Sequence, residues 1–186
     1  MPMMSNANPI VIPARRLARL LACLLLPALA ACGSTPQVAG SEAATTFVIV
    51  RHAEKSTDDP KDPSLSETGK ARAQDLARLL ADASLTAAYA TGFRRTQQTA
   101  QPAADAHGVK ITLYDATLPA TTLAARLRAA HAQGTVLVVG HSNTVPDIVS
   151  ALSGQPVDAI PDDEYDLVYR VRVGSDGKAT LSQSRY

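Results

Sequence analysis

The chain has 186 residues, 18 Lys and Arg against 17 Asp and Glu, a formal net charge of +1 and 46% hydrophobic residues. That length holds one domain with a real core, and the interspersed charges form no basic tract of the kind that tracks nucleic acid. Two cysteines exclude a disulfide scaffold, and the composition excludes a disordered or collagen-like chain.

Residues 1–31 contain no acid, and their only charges are Arg15, Arg16 and Arg19. An apolar run follows from Leu20 to Ala31, interrupted only by Pro27. It suits the core of an export signal and falls short of the roughly 20 residues that span a bilayer. The run closes on Leu29-Ala30-Ala31-Cys32-Gly33, which resembles the bacterial lipobox. The resemblance implies cleavage before Cys32 and a lipid on its thiol; an ordinary secretory cleavage at a small-residue site is the alternative. The expected organisation is a lipoprotein signal peptide over 1–31, a small polar tether over 32–45 and one domain over 46–186. Cys23 leaves with the leader and lipid occupies Cys32, so the domain has no thiol for nucleophilic or metal chemistry. The expected location is a bacterial cell envelope, anchored to a membrane and facing the periplasm or exterior.

Thr46–Val50 is a short β-branched and aromatic run that reads as a buried strand. A polar loop follows from Arg51 to Leu65, and Ser66 caps a helix with Ala73, Leu76, Ala77 and Leu80 on one face. A strand near Ala87–Ala90 precedes a helix from about Arg94 toward His107-Gly108, with Pro102 as a possible kink. Val109–Tyr114 alternates as a strand, and Thr122–Gln133 is helical until Gly134 ends it. Thr135–Val139 is a continuous apolar strand, followed by a helix with Val145, Ile148, Val149 and Leu152 inward. Leu167–Val173 and Ala179–Ser184 flank Gly174-Ser175-Asp176-Gly177 as a hairpin. This alternation implies an α/β fold in three layers: a mostly parallel sheet, helices on both faces, and a C-terminal antiparallel hairpin.

In open α/β sheets ligands bind outside the carboxyl ends of the strands. Arg51-His52 follows the first strand, Thr91-Gly92-Phe93-Arg94-Arg95 the second, Asp115 the third and Gly140-His141 the fourth. Two imidazoles, at least two guanidinium groups and a carboxylate therefore converge on one edge. Arginine matches phosphate oxygens with a planar, permanently charged fork, and several such cations together call for an anionic ligand. Nearby arginines also keep an imidazole neutral and nucleophilic. The inventory suits phosphoryl transfer to a histidine and then to water, without a metal or organic cofactor.

These residues resemble the histidine phosphatase superfamily, whose fold is phosphoglycerate mutase-like. Arg51-His52-Ala53-Glu54 is similar to its Arg-His-Gly-Glu signature, with alanine in place of glycine. Leu65-Ser66-Glu67-Thr68-Gly69 looks like its Leu-Thr-x-x-Gly segment. Thr91–Ala100 resembles its Ser-x-Leu-x-Arg-Ala-x-Gln-Thr-Ala stretch, and Val139–Asn143 its Gly-His segment. The resemblance covers residues 46–154. It implies that His52 is phosphorylated, that Arg51, Arg95 and His141 hold the phosphoryl group, and that Asp115, with Glu54 next, is the general acid. Phytase-like relatives place an aspartate directly after the second histidine, where this chain has Ser142. The implied activity is phosphomonoester hydrolysis through phosphohistidine, on a small phosphorylated substrate.

Two rivals accompany that reading: a lipoprotein that binds phosphate esters without turnover, and a phosphomutase. A His52, His141 and Asp115 metal site is a third, opposed by the flanking arginines. His107 and His131, near helix C-termini, read as structural. Arg94 reads as a rim residue and Lys55 as part of the solvated loop. Asp162, Asp163, Glu164 and Asp166 read as a solvated connection, with Tyr165 as a possible roof of the pocket.

Overall fold

The structure, a computed structural model, describes residues 44–186. The expected signal peptide, Cys32 and nearly all of the expected tether lie outside these residues. Ten elements follow in order: β1 (Ala44–Arg51), α1 (Glu67–Leu79), β2 (Leu85–Thr91), α2 (Arg94–Ala106), β3 (Ile111–Tyr114), α3 (Ala120–Ala130), β4 (Gly134–Gly140), α4 (Val145–Ser153), β5 (Leu167–Gly174) and β6 (Ala179–Arg185). The strands form one sheet in the order β3-β2-β4-β1-β5-β6. β1 to β4 are parallel, and β5 and β6 extend the sheet antiparallel beside β1.

Strand periodicity divides the core in two. Phe47 and Ile49 of β1 with Val136 and Val138 of β4 face the cluster formed with α3 and α4. Val48, Val50, Leu137 and Val139 face the cluster that includes Leu76 of α1 and Ala100, Ala103 and Ala104 of α2. All eight of these strand side chains are buried, as a central strand covered on both faces requires. Alanines on α2 let that helix lie close to the sheet.

The expected elements are all present, with shifted ends. β3 begins at Ile111 rather than Val109, because Gly108 (φ +65°) takes the left-handed conformation that closes α2 and the Val109 amide donates to Ala104 O at 3.0 Å. α3 starts at Ala120, just after Pro119, and stops at Ala130, because His131 is already extended (φ −132°, ψ 111°). α2 continues through Pro102. Ser66 caps α1 as expected, its hydroxyl accepting from the Gly69 amide at 3.1 Å.

Candidate active site

β1 and β4 pair in register up to Arg51 and Gly140, and the His52 amide donates to Gly140 O at 3.0 Å. The ladder therefore carries Arg51-His52 and Gly140-His141 to the same height on the sheet edge. The imidazole rings of His52 and His141 lie 5.4 Å apart, edge to face. Arg95 enters from the first turn of α2, its guanidinium 4.3 Å from the Phe93 ring, and Phe93 in turn packs 5.3 Å from His141. Arg51, His52, Arg95 and His141 line one cleft of about 430 Å³.

His52 is 4% exposed, and its Nδ1 lies 2.8 Å from Ala53 O. A carbonyl oxygen only accepts, so Nδ1 carries the hydrogen and Nε2 keeps its lone pair. That Nε2 has no hydrogen-bond partner among the described residues and retains solvent access. Burial is the main force on its titration. It outweighs the Ala53 carbonyl and, with the charges of Arg95 and Arg51, lowers the pKa to about 3. The His141 pKa is lowered to about 4, again by burial first and then by Arg95, Arg51 and Lys55. Both imidazoles are therefore neutral near pH 7.

Arg51 does two things. Its Nη1 donates to the backbone carbonyls of Pro161, Asp162 and Glu164 at 2.9, 3.0 and 2.8 Å, and the Tyr165 ring covers its guanidinium at 4.1 Å. Its Nη2 has no partner among the described residues and is not sealed from solvent. The Arg95 guanidinium approaches Asp62 at 3.7 Å and makes no hydrogen bond among the described residues. The cleft thus offers a lone pair on one imidazole beside free guanidinium donors, which is a setting for a tetrahedral oxyanion.

The family model of the histidine phosphatase superfamily (branch 1) matches residues 47–118, from β1 through the turn after β3. Residues 47–118 are therefore similar to that superfamily. Solved structures agree in fold. The protein histidine phosphatase SixA complexed with tungstate has 20% identity and a TM-score of 0.59, covering 75% of this chain and 96% of that one. A putative phosphohistidine phosphatase SixA from Agrobacterium tumefaciens has 23% identity and a TM-score of 0.57, covering 76% and 98%. A phosphoglycerate mutase from Bacillus anthracis str. Sterne has 15% identity and a TM-score of 0.59, covering 77% and 93%. No curated protein matches the sequence.

The expected acid does not reach the cleft. Asp115 is exposed, and its carboxylate accepts from the Thr117 amide and hydroxyl at 2.8 and 2.7 Å, closing a local turn. The cleft is lined by the next two residues, Ala116 and Thr117, while Asp115 borders an apolar groove between β3 and α3. This corrects the placement of Asp115 in the site, and it also dissolves the His52, His141 and Asp115 metal trio. Glu54 is likewise engaged elsewhere. Burial favours its neutral form, but the Arg72 fork, with bonds of 2.9 and 2.6 Å, holds its carboxyl below the usual range.

Several residues of the site were not singled out from the sequence. Asp162, assigned to a solvated connection, lines the cleft, and the carbonyls around it hold Arg51. Tyr165, by contrast, was read as a roof of the pocket, and it lies over Arg51 and 6.1 Å from the His52 ring. Thr91, Thr96 and Thr99 are buried and tie both histidines to α2. Thr96 and Thr99 lie on the α2 face that also carries Ala100 and Ala103, and Thr91 ends β2. Arg94 lies at the rim as expected, bonded to Asp58 at 2.9 Å. His107 and His131 make structural bonds, to Leu80 O and to the Tyr89 hydroxyl, each at 2.9 Å.

Proposed function

We propose that this domain is a phosphatase that hydrolyses phosphomonoesters through a phosphohistidine formed on His52. One observation carries the reading: a neutral imidazole with a free Nε2 faces a second imidazole and two guanidinium groups in a single cleft. The Nε2 lone pair attacks phosphorus, the P–N bond forms, and the bond to the leaving oxygen breaks with its electron pair. Water then attacks phosphorus, the P–N bond breaks, its electron pair returns to Nε2, and orthophosphate leaves. Arg51 Nη2 and Arg95 face the equatorial oxygens with the neutral His141 beside them, so fixed guanidinium cations supply the stabilisation that a metal gives elsewhere.

Neither Asp115 nor Glu54 stands ready to protonate a leaving group. The site is therefore suited to leaving groups that depart without strong acid help, such as aryl oxygens and imidazole nitrogens. Phosphohistidine on a protein fits that description, and the structural likeness to proteins described as SixA phosphohistidine phosphatases favours it over an alkyl phosphate.

The location is part of the same proposal: cleavage before Cys32 and lipid on its thiol tether the domain to an envelope membrane. Radiolabelled palmitate should enter the full-length protein and be absent from Cys32→Ser.

Full-length protein in detergent should hydrolyse p-nitrophenyl phosphate, and EDTA should leave the rate unchanged. His52→Ala should abolish turnover with an unaltered circular dichroism spectrum, and brief exposure to labelled substrate should give an acid-labile, base-stable phosphoprotein. Undiminished turnover in His52→Ala refutes the mechanism. Calorimetric binding of phosphate esters without hydrolysis would assign the protein to non-catalytic binding instead.

A further inference from the structure

From the cleft, a line of polar side chains runs into the core. His141 Nε2 lies 3.0 Å from Thr91 Oγ1, and Thr91 Oγ1 lies 2.9 Å from Thr96 Oγ1. The Thr96 hydroxyl lies 2.8 Å from Phe93 O and 3.1 Å from Thr91 O. Both threonines are fully buried.

The hydrogens along this line can be counted. Each hydroxyl has one, and a carbonyl oxygen has none to give. The Thr96 hydrogen therefore points to the carbonyls, of which Phe93 O is the nearer. Thr96 Oγ1 then accepts from Thr91, which uses the single hydrogen of Thr91. Thr91 Oγ1 has only lone pairs left for the imidazole, so His141 Nε2 must bring the hydrogen. The opposite order would set Thr96 Oγ1 against two carbonyl oxygens with no hydrogen between them, a buried mismatch that structures avoid.

We infer that the Thr91–Thr96 hydroxyl pair fixes His141 as its Nε2–H tautomer, so that Nδ1 turns a lone pair to the cleft and accepts the proton of the water that attacks phospho-His52. The inference rests on the function proposed above and adds the group that receives the proton. Nδ1 has no hydrogen-bond partner among the described residues and retains solvent access beside His52. In the step, the water oxygen bonds to phosphorus as the P–Nε2 bond breaks and its electron pair returns to His52. The water proton passes to His141 Nδ1, and orthophosphate leaves. Nε2–H stays on Thr91 throughout, so the buried hydroxyls need not reorder. Burial first, and then the arginines, keep the free imidazole neutral; the charge of the phosphoryl group offsets the arginines, which makes Nδ1 more basic when the proton has to move. Thr91 and Thr96 are thus positioning residues that act through His141, and no carboxylate is required for this half-reaction.

The test uses full-length, 15N-labelled protein in detergent micelles at neutral pH. Long-range 1H–15N spectra should show His141 with hydrogen on Nε2 and none on Nδ1. Thr91→Val, which keeps the shape and removes the acceptor, should lose that fixed pattern, and Thr91→Ser should keep it. Thr96→Val frees the Thr91 hydrogen and should move His141 toward the Nδ1–H form. In single-turnover experiments with p-nitrophenyl phosphate, Thr91→Val should slow phosphoenzyme hydrolysis by about tenfold or more while phosphorylation changes by less than about threefold. Thr91→Ser should restore hydrolysis. A wild-type His141 with hydrogen on Nδ1 overturns the inference whether or not any variant folds. So does a folded Thr91→Val with wild-type phosphoenzyme hydrolysis. A protein that shows the expected tautomer but never phosphorylates His52 keeps the tautomer lock and loses the proposed function, together with the proton transfer built on it.

Discussion

The Thr99 hydroxyl on α2 holds the backbone of Ala53 through a 2.9 Å bond from the Ala53 amide. The hydroxyl hydrogen is already given to Arg95 O at 2.8 Å, so its oxygen is free to accept. Ala53 O in turn accepts from His52 Nδ1, so one threonine anchors the residue whose carbonyl orients the reactive imidazole. Thr99→Val removes the acceptor of a buried amide and should cost about 1–3 kcal/mol. The same change should reduce phosphorylation of His52 by about tenfold, and Thr99→Ser should restore both. Urea unfolding and burst kinetics measure the two effects, and a Thr99→Val protein with wild-type burst rate would sever this link.

Gly69 is the point where α1 meets the loop after β1. A Cβ there would lie 2.3 Å from Glu54 O, a backbone atom two residues beyond His52 that cannot turn aside. Gly69→Ala should therefore push the loop away from the helix at a cost of about 1–3 kcal/mol. Activity should fall with stability, because the displaced segment adjoins His52. Unchanged thermal unfolding of Gly69→Ala would show that the helix yields instead.

Asp115 and Glu54 are engaged outside the cleft. Asp115→Asn should leave kcat on p-nitrophenyl phosphate and on glycerol phosphate within about twofold. Glu54→Gln weakens the Arg72 pair and should lower stability modestly, on the order of 1 kcal/mol, with the ratio of aryl to alkyl turnover unchanged. A loss confined to the alkyl substrate in either variant would identify that residue as the acid after all.

Both cleft histidines resist protonation in the folded protein, with pKa values lowered to about 3 and about 4 chiefly by burial. In the unfolded chain they titrate near 6.5. Below that pH the unfolded state takes up protons that the folded state refuses, so stability is full above about 6.5 and declines as pH falls toward 4. The slope reaches at most about 1.4 kcal/mol per pH unit for each histidine. Urea unfolding at pH 7.5 and pH 5 should show a larger drop for wild type than for His52→Asn. Equal drops would mean that His52 is not held neutral by its surroundings.

Much of this site was legible in the sequence because strand ends are. Apolar runs ending in Arg51-His52 and Gly140-His141 set those residues on one edge, and the β1–β4 register places them at the same height. Asp115 follows the same rule along the strand but not across the sheet. β3 is the edge strand and β1 is three positions away, about 14 Å at the usual strand spacing. Sequence order does not reveal that lateral order, and a carboxylate reads the same at the margin as at the centre. The threonines were missed for another reason. A buried hydroxyl at the end of β2 or along α2 is spaced like any small residue, and its meaning lies in partners such as His141 and Ala53 from other parts of the chain. The run from Pro161 to Tyr165 acts through its carbonyls, which every residue has, so its composition pointed to solvent while its backbone grips Arg51.

β1, which leads into His52, has neighbours formed only by late segments: Val48 pairs with Leu137 on one side and Arg170 on the other. During synthesis its apolar residues emerge early and wait unpaired until β4 and β5 have followed, a period in which an exposed strand edge invites association with other chains. The distant pairing also predicts slow folding relative to a chain of local contacts. The histidine at the centre of the cleft is among the first parts of the domain to be made and among the last to be assembled.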